Sequence, residues 1–256
     1  MESNYSAPSV KKAFIILKAI ADSTGGLGVS ELGKTLNIGK STVLGITRAL
    51  EELGVLGRNP TRKKFTLGYT LIDLGKKALS KIERMTVTAQ ASMESLMGEL
   101  EETVFLGIMH GDHAVILKVV ESPQELKITA PAGSRVPLLA GALGRVFLAQ
   151  LDETKVKGIV QKKGLKKYTA NSITDFKKFF REVQETKNRG YSVDTDEYMS
   201  GVTAVAAPIY TPFLPPAAIW VVGFSPTFRD QKLEKAIIEI QKASIGIGRL
   251  LLDYSK

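Results

Sequence analysis

Seven side chains in one short stretch have the chemistry of polyanion recognition. Lys40 and Ser41 open a segment with helical apolar spacing, Arg48 lies two turns further on, and Arg58, Arg62, Lys63 and Lys64 cluster just beyond it. A guanidinium offers paired donors that match the O6/N7 edge of guanine. Ammonium groups and hydroxyls suit phosphate oxygens. The charge is regional. Residues 1–80 hold twelve Lys/Arg against six Asp/Glu, a net +6 out of +9 for the whole chain. A basic third on a nearly neutral body suggests a nucleic-acid partner for that third. A solubilising surface is the bland alternative.

Chemistry of other kinds is thinner. The chain has no cysteine, which excludes disulfides, thiolate metal sites and cysteine nucleophiles. The only histidines, His110 and His113, stand three apart across a turn. They could share a metal, but no third ligand is evident, and plain turn residues are the simpler reading. Asp194, Asp196 and Glu197 are clustered acids without a partner base. Nothing here points to an enzyme, and no cofactor or metal is implied. No apolar run reaches the roughly 18 residues of a membrane span, and the N-terminus lacks a signal-peptide pattern. The expected location is cytoplasmic, with no membrane partner.

The elements that must position the cations follow from spacing. Residues 1–8 are polar and expected to fray. From Ser9, a reasonable N-cap, Val10, Phe14, Leu17 and Ile20 form one helical stripe that stops near Asp22. Ser30 caps a short helix to Leu36, and Asn37-Ile38-Gly39 forms a corner, since Asn and Gly tolerate left-handed backbone. The next helix runs from Lys40 or Ser41 to Leu53, with Gly54 as its C-terminal cap. Val43, Ile46, Leu50 and Leu53 are spaced for the core, which turns Ser41, Leu44, Gly45, Arg48 and Glu52 outward. Lys40, Ser41 and Thr42 lie at the helix N-terminus, where free N–H groups and the dipole favour phosphate. Val55-Leu56 and Phe65–Leu67 then read as two short strands. Arg58, Arg62, Lys63 and Lys64 lie in or beside their turn, as a wing on the phosphate backbone or a solvated loop.

Beyond the wing, Leu71, Leu74, Ala78 and Ile82 mark a linker helix, and Ala89, Met93, Leu96 and Leu100 mark a second helix from about Met85. Strands are expected at Thr103–Met109, Ala114–Val120, Glu125–Ala130, Tyr191–Asp194, Thr203–Tyr210 and Ala217–Phe224. Helices are expected at Ala142–Gln150, Lys155–Val160, from Ser172–Asp175 to Gly190, and at Asp230–Leu252. Lys162, Lys163, Lys166 and Lys167 read as a solvated face. The class is α+β with a mixed or antiparallel sheet.

Three stretches together resemble the IclR family of bacterial transcriptional regulators: NIGKSTVLGITRALEELGVL followed by FTLG, RVPLLAGALGRVFLA, and RGYSVDTDEYMSGVTAVAAPIY with FSPTFR downstream. The resemblance covers about residues 9–252. It implies a winged helix-turn-helix over residues 1–67, a linker helix over 68–84, and a GAF-like effector-binding and oligomerisation domain over 85–256. It also implies dimers or tetramers and a small effector, often a carboxylate. Carried over residue by residue, the effector site comprises Ala142, Leu143, Asp194, Ala204, Val222 and Phe224, anchored by Pro226 and Arg229. The chain departs from the family where Ala204 replaces a common Cys or polar residue and where Val222 and Phe224 replace Ser. Pro215-Pro216 shifts that strand's register, so that Trp220 could face the pocket instead. Gly45 stands where the family often has Arg, which moves base readout to Arg48.

The apolar neighbours favour a hydrophobic or aromatic effector, its carboxylate on the N-terminal amides of the 142–150 helix; a plain core is the alternative. The function expected is a repressor or activator reading a pseudo-palindromic double-stranded operator. A catalytic C-terminal domain or a ligand-free DNA-binding scaffold are the competing classes.

Overall fold

Pro8, which has no N–H to lose at a helix start, opens helix α1 (Pro8–Ala21), with Ala7 rather than Ser9 in the capping position. The computed structural model describes residues 7–59, 61–211 and 215–253; positions 1–6 of the polar tail lie outside the described residues. The chain divides into two units, residues 1–80 and 81–256.

In the first unit, α2 (Val29–Leu36) starts at Gly28, whose N–H donates to Glu31 Oε2 at 2.7 Å. Asn37 takes the left-handed conformation at φ 52°, and the chain turns directly into α3 (Lys40–Glu52). Strands β1 (Leu56–Arg58) and β2 (Phe65–Leu67) pair antiparallel, and Leu27 bridges to Phe65. The core consists of Ile16, Ile20, Leu32, Val43, Leu56 and Phe65.

Two expected core assignments are corrected here. Val10 and Phe14 are 56% and 61% exposed, because α1 is apolar on more than one face and turns Ile16 and Ile20 inward. Leu53 is 67% exposed, because α3 ends at Glu52 and Leu53 leaves the stripe. Thr47 is buried one turn after Val43 instead, its hydroxyl donating to the Val43 carbonyl at 2.9 Å.

Helix α4 runs unbroken from Tyr69 to Leu100, where the sequence suggests two helices. Residues 82–85 contain no proline or glycine to break it. Its Met85, Ala89, Met93, Leu96 and Leu100 are buried, whereas Leu74 and Ala78 of the expected linker stripe are exposed.

The second unit is built on a six-stranded, wholly antiparallel sheet of order β5-β4-β3-β8-β7-β6. Its strands are β3 (Thr103–His110), β4 (His113–Val120), β5 (Arg135–Pro137), β6 (Ser192–Thr195), β7 (Val202–Ile209) and β8 (Ala217–Phe224). One face packs Leu106, Val205, Ile219 and Val221 against α4 and α8 (Asp230–Asp253). The other packs Phe105, Ile116 and Trp220 against α5 (Gly141–Ala149), α6 (Glu153–Lys163) and α7 (Phe176–Arg189).

The strand expected at Glu125–Ala130 does not form. The edge of β4 is taken by residues 133–137, through Gly133 N–H to Ile116 O and the β4–β5 ladder. Lys127 and Thr129 instead tether that segment to Glu121, each at 2.9 Å.

Candidate functional site

The first candidate surface is the outer face of α3 with the β1–β2 turn. Lys40, Ser41, Leu44, Gly45 and Arg48 are exposed, and Thr42 is half-buried. No side chain caps the N-terminus of α3, so its first amides are free to meet a phosphate. A side chain at Gly45 would meet nothing within 4 Å. The α3 surface is therefore bare at its middle, with Arg48 one turn beyond.

The wing turn is organised by Asn59, whose Oδ1 accepts from the N–H groups of Thr61 and Arg62 at 3.0 and 2.9 Å. Lys63 sits at φ 53°, so the turn projects it outward, and Arg62 beside it is also exposed. The other two cations are engaged. Lys64 Nζ pairs with Glu31 Oε1 at 2.9 Å, and the Arg58 guanidinium lies 5.6 Å from the Phe65 ring centre. The Gly28 N–H and then Lys64 hold the Glu31 carboxyl below its ordinary range. The sequence alone suggests four equivalent cations with no acid nearby. The fold brings Glu31 of α2 to Lys64 and leaves Arg62 and Lys63 as the outward pair.

The second candidate site is a cavity of about 280 Å³ against the Trp220 face of the sheet. Register places Asp194 opposite Ala204 and Ala204 opposite Val222, one row across β6, β7 and β8. That row lines the cavity together with Ala142 and Leu143 from the start of α5. Five of the six carried-over residues thus meet in one place. Phe224, paired with Val202 at the end of β8, is not among the lining residues, whereas Trp220 is. The Trp220 and Phe105 rings stack at 5.4 Å and supply an aromatic wall.

Asp194 is buried among these apolar groups. Desolvation pushes its carboxyl up to about 6, and the charge of Glu197 adds to the rise. The Glu197 N–H, donating at 2.7 Å, and Arg145 pull the other way. Its Oδ2 lies so close over Gly141, at φ 56°, that any side chain there would collide with it.

Arg145 is the functional neighbour that sequence reasoning missed. Though 1% exposed, it places every donor group: Nε to Ser192 Oγ at 2.8 Å, one terminal nitrogen to Glu197 Oε2 at 2.5 Å, and the other to Glu197 Oε1 at 3.0 Å and the Val193 carbonyl at 2.5 Å. It ties α5 to β6 and to Glu197 just after it, one of the acids that looked partnerless in the sequence. An arginine inside the apolar run GALGRVFLA is the signal that pointed to it. Among the described residues no cluster of three potential metal ligands forms. His113 Nδ1 instead meets Asp112 Oδ1 at 3.1 Å.

Residues 77–249 match the family described as bacterial transcriptional regulator IclR C-terminal, and residues 9–60 match the IclR helix-turn-helix domain. The HTH-type transcriptional regulator KdgR of Escherichia coli (strain K12) is 28% identical over 248 residues, covering 95% of this chain and 92% of that protein. The crystal structure of Thermotoga maritima IclR is similar at TM-score 0.62 and 29% identity, covering 95% and 98% of the two chains. An IclR homologue from Microbacterium hydrocarbonoxydans complexed with 4-hydroxybenzoate shares the fold at TM-score 0.61 and 20% identity, covering 96% and 99%.

Proposed function

The chain belongs to the IclR family of DNA-binding transcriptional regulators, and we propose that a small apolar or aromatic carboxylic acid in the Trp220 cavity controls its grip on an operator. The family consists of transcriptional regulators with a C-terminal effector domain, not of enzymes. The observation that carries the effector class is the cavity wall: Phe105, Ala204, Trp220 and Val222 are apolar where a compact polar acid would need donors. The 4-hydroxybenzoate in the Microbacterium protein supports the same reading.

On the DNA side, the α3 N-terminus and Lys40, Ser41 and Thr42 seat a phosphate. Arg48, with Leu44 and Gly45, reads base edges in the major groove, and Arg62 and Lys63 hold the backbone from the wing. Arg58 and Lys64 shape the wing more than they touch DNA. A homodimer or homotetramer carrying two such heads reads a pseudo-palindromic operator with half-sites one or more helical turns apart.

A thermal-shift panel on the full chain tests the effector class. Benzoate, 4-hydroxybenzoate and phenylacetate are expected to raise the melting temperature, and pyruvate and glyoxylate are not. Stabilisation by the two oxo acids alone would overturn the assignment.

A further inference from the structure

Helix α8 has two apolar faces. Ala236, Ile240 and Ile247 are buried in the core under the sheet. The opposite face carries Ile238, Ile245 and Leu252, seven residues apart and each about half exposed. From Glu234 the spacing alternates four and three through Ile238, Gln241, Ile245, Gly248 and Leu252. That is the repeat of a helix seam built to pack against another helix. A groove of about 280 Å³ runs beside the stripe, lined by Tyr210, Ser244, Ile245, Gly248 and Leu252, with Arg249 its one cation and no acid. Ser244 and Gly248 are buried and small, which leaves room there for a side chain from outside.

The charges along the stripe say what covers it. Asp230, Lys232, Lys235, Glu239 and Lys242 are ion-paired within the chain. Among the described residues no ion pair reaches Glu234 or Arg249, and both are exposed on the side of the apolar stripe. Their positions mirror each other. Ile238 and Ile245 lie three and a half residues either side of the midpoint between Gln241 and Lys242, and Glu234 and Arg249 seven and a half. A helix laid antiparallel on its own copy about that midpoint sets isoleucine against isoleucine and acid against base, each contact made twice. Lys242, close to the midpoint, is neutralised by its own Glu239. An unrelated partner would have no need of mirrored spacing.

We propose that α8 is an interface with a second copy of this chain: two α8 helices pair antiparallel about a twofold axis between Gln241 and Lys242, Ile238 meeting the partner's Ile245 and Glu234 the partner's Arg249. The apolar stripe supplies the affinity and the two ion pairs set the register. The inference rests on the homo-oligomer of the reading above and deepens it by naming the face that joins the copies.

Disulfide trapping on the full chain tests this, because the chain has no cysteine of its own. The Ile238→Cys/Ile245→Cys protein is expected to oxidise to a covalent dimer on a non-reducing gel. Either single variant should do so at least tenfold more slowly, since its two thiols lie about 10 Å apart along the seam. Adding Glu234→Arg to the double-cysteine protein sets arginine against arginine and should slow trapping at least tenfold. Adding Arg249→Glu as well restores opposite charges and should recover the rate. Neither change should move the melting temperature of the free chain, as both side chains are exposed. Equal trapping of the single variants, or no recovery in the charge swap, overturns the antiparallel register. No trapping of the double-cysteine protein, while light scattering finds the wild type assembled, overturns the α8 seam and leaves the homo-oligomer standing. A wild type that is monomeric at every concentration overturns both.

Discussion

Asp194 carries a cost in the folded chain. Its folded carboxyl titrates near 6 against an ordinary value of 3.8. Between those values the folded chain holds a proton that the unfolded chain has lost. Stability from this group is therefore complete below pH 3.8 and drains away as pH rises through 6. A rise of this size corresponds to about 3 kcal/mol. Asp194→Asn keeps an acceptor for the Glu197 N–H and removes the charge. Urea melts should find the variant more stable than wild type at pH 7.5, with the gap closing by pH 4. A wild type that stays ahead at pH 7.5 would mean that Arg145 outweighs desolvation. Arg145 itself cannot be replaced so mildly. Arg145→Met leaves Glu197, the Val193 carbonyl and Ser192 without their buried partner. Breaking such a pair costs about 3–5 kcal/mol, measurable in the same melts; a loss under about 1 kcal/mol would show that solvent reaches Glu197 freely.

Among the elements, α3 shows how stability and function pull apart. Gly45 is exposed in mid-helix with open space around its missing side chain. Alanine there should stabilise the free protein by about 1 kcal/mol. If α3 lies in the groove with its backbone near the bases, the same methyl should weaken operator binding severalfold in fluorescence anisotropy. Stabilisation without any loss of DNA affinity would place the contact surface elsewhere on the helix. The α3 boundaries, the Asn37 corner and the Gly54 cap are legible in the sequence because each depends on local backbone preference. The caps of α7, Asp175 and Gly190, are legible for the same reason. What a segment packs against is not local. Glu125–Ala130 has strand-like residues but loses the β4 edge to residues 133–137. The stripe of α1 depends on which of two apolar faces meets Leu32 and Val43. The Asp194–Ala204–Val222 row emerges from strand register, which family resemblance located and spacing alone did not.

For the whole molecule, charge and coupling set what can be measured. The basic third, at +6 of the chain's +9, should give operator binding a steep salt dependence. Lys63→Ala should weaken all DNA alike and reduce the salt slope by about one, whereas Arg48→Ala should cost about 1–3 kcal/mol on the operator alone. An Arg48→Ala protein that binds its operator like wild type at fixed salt would remove that residue from base readout. The same binding assay measures the switch. If the effector changes operator affinity by some factor, the operator must change effector affinity by that factor. Typical couplings are about 5- to 150-fold. A wild-type operator affinity unchanged by a saturating bound acid would mean that the cavity binds without switching.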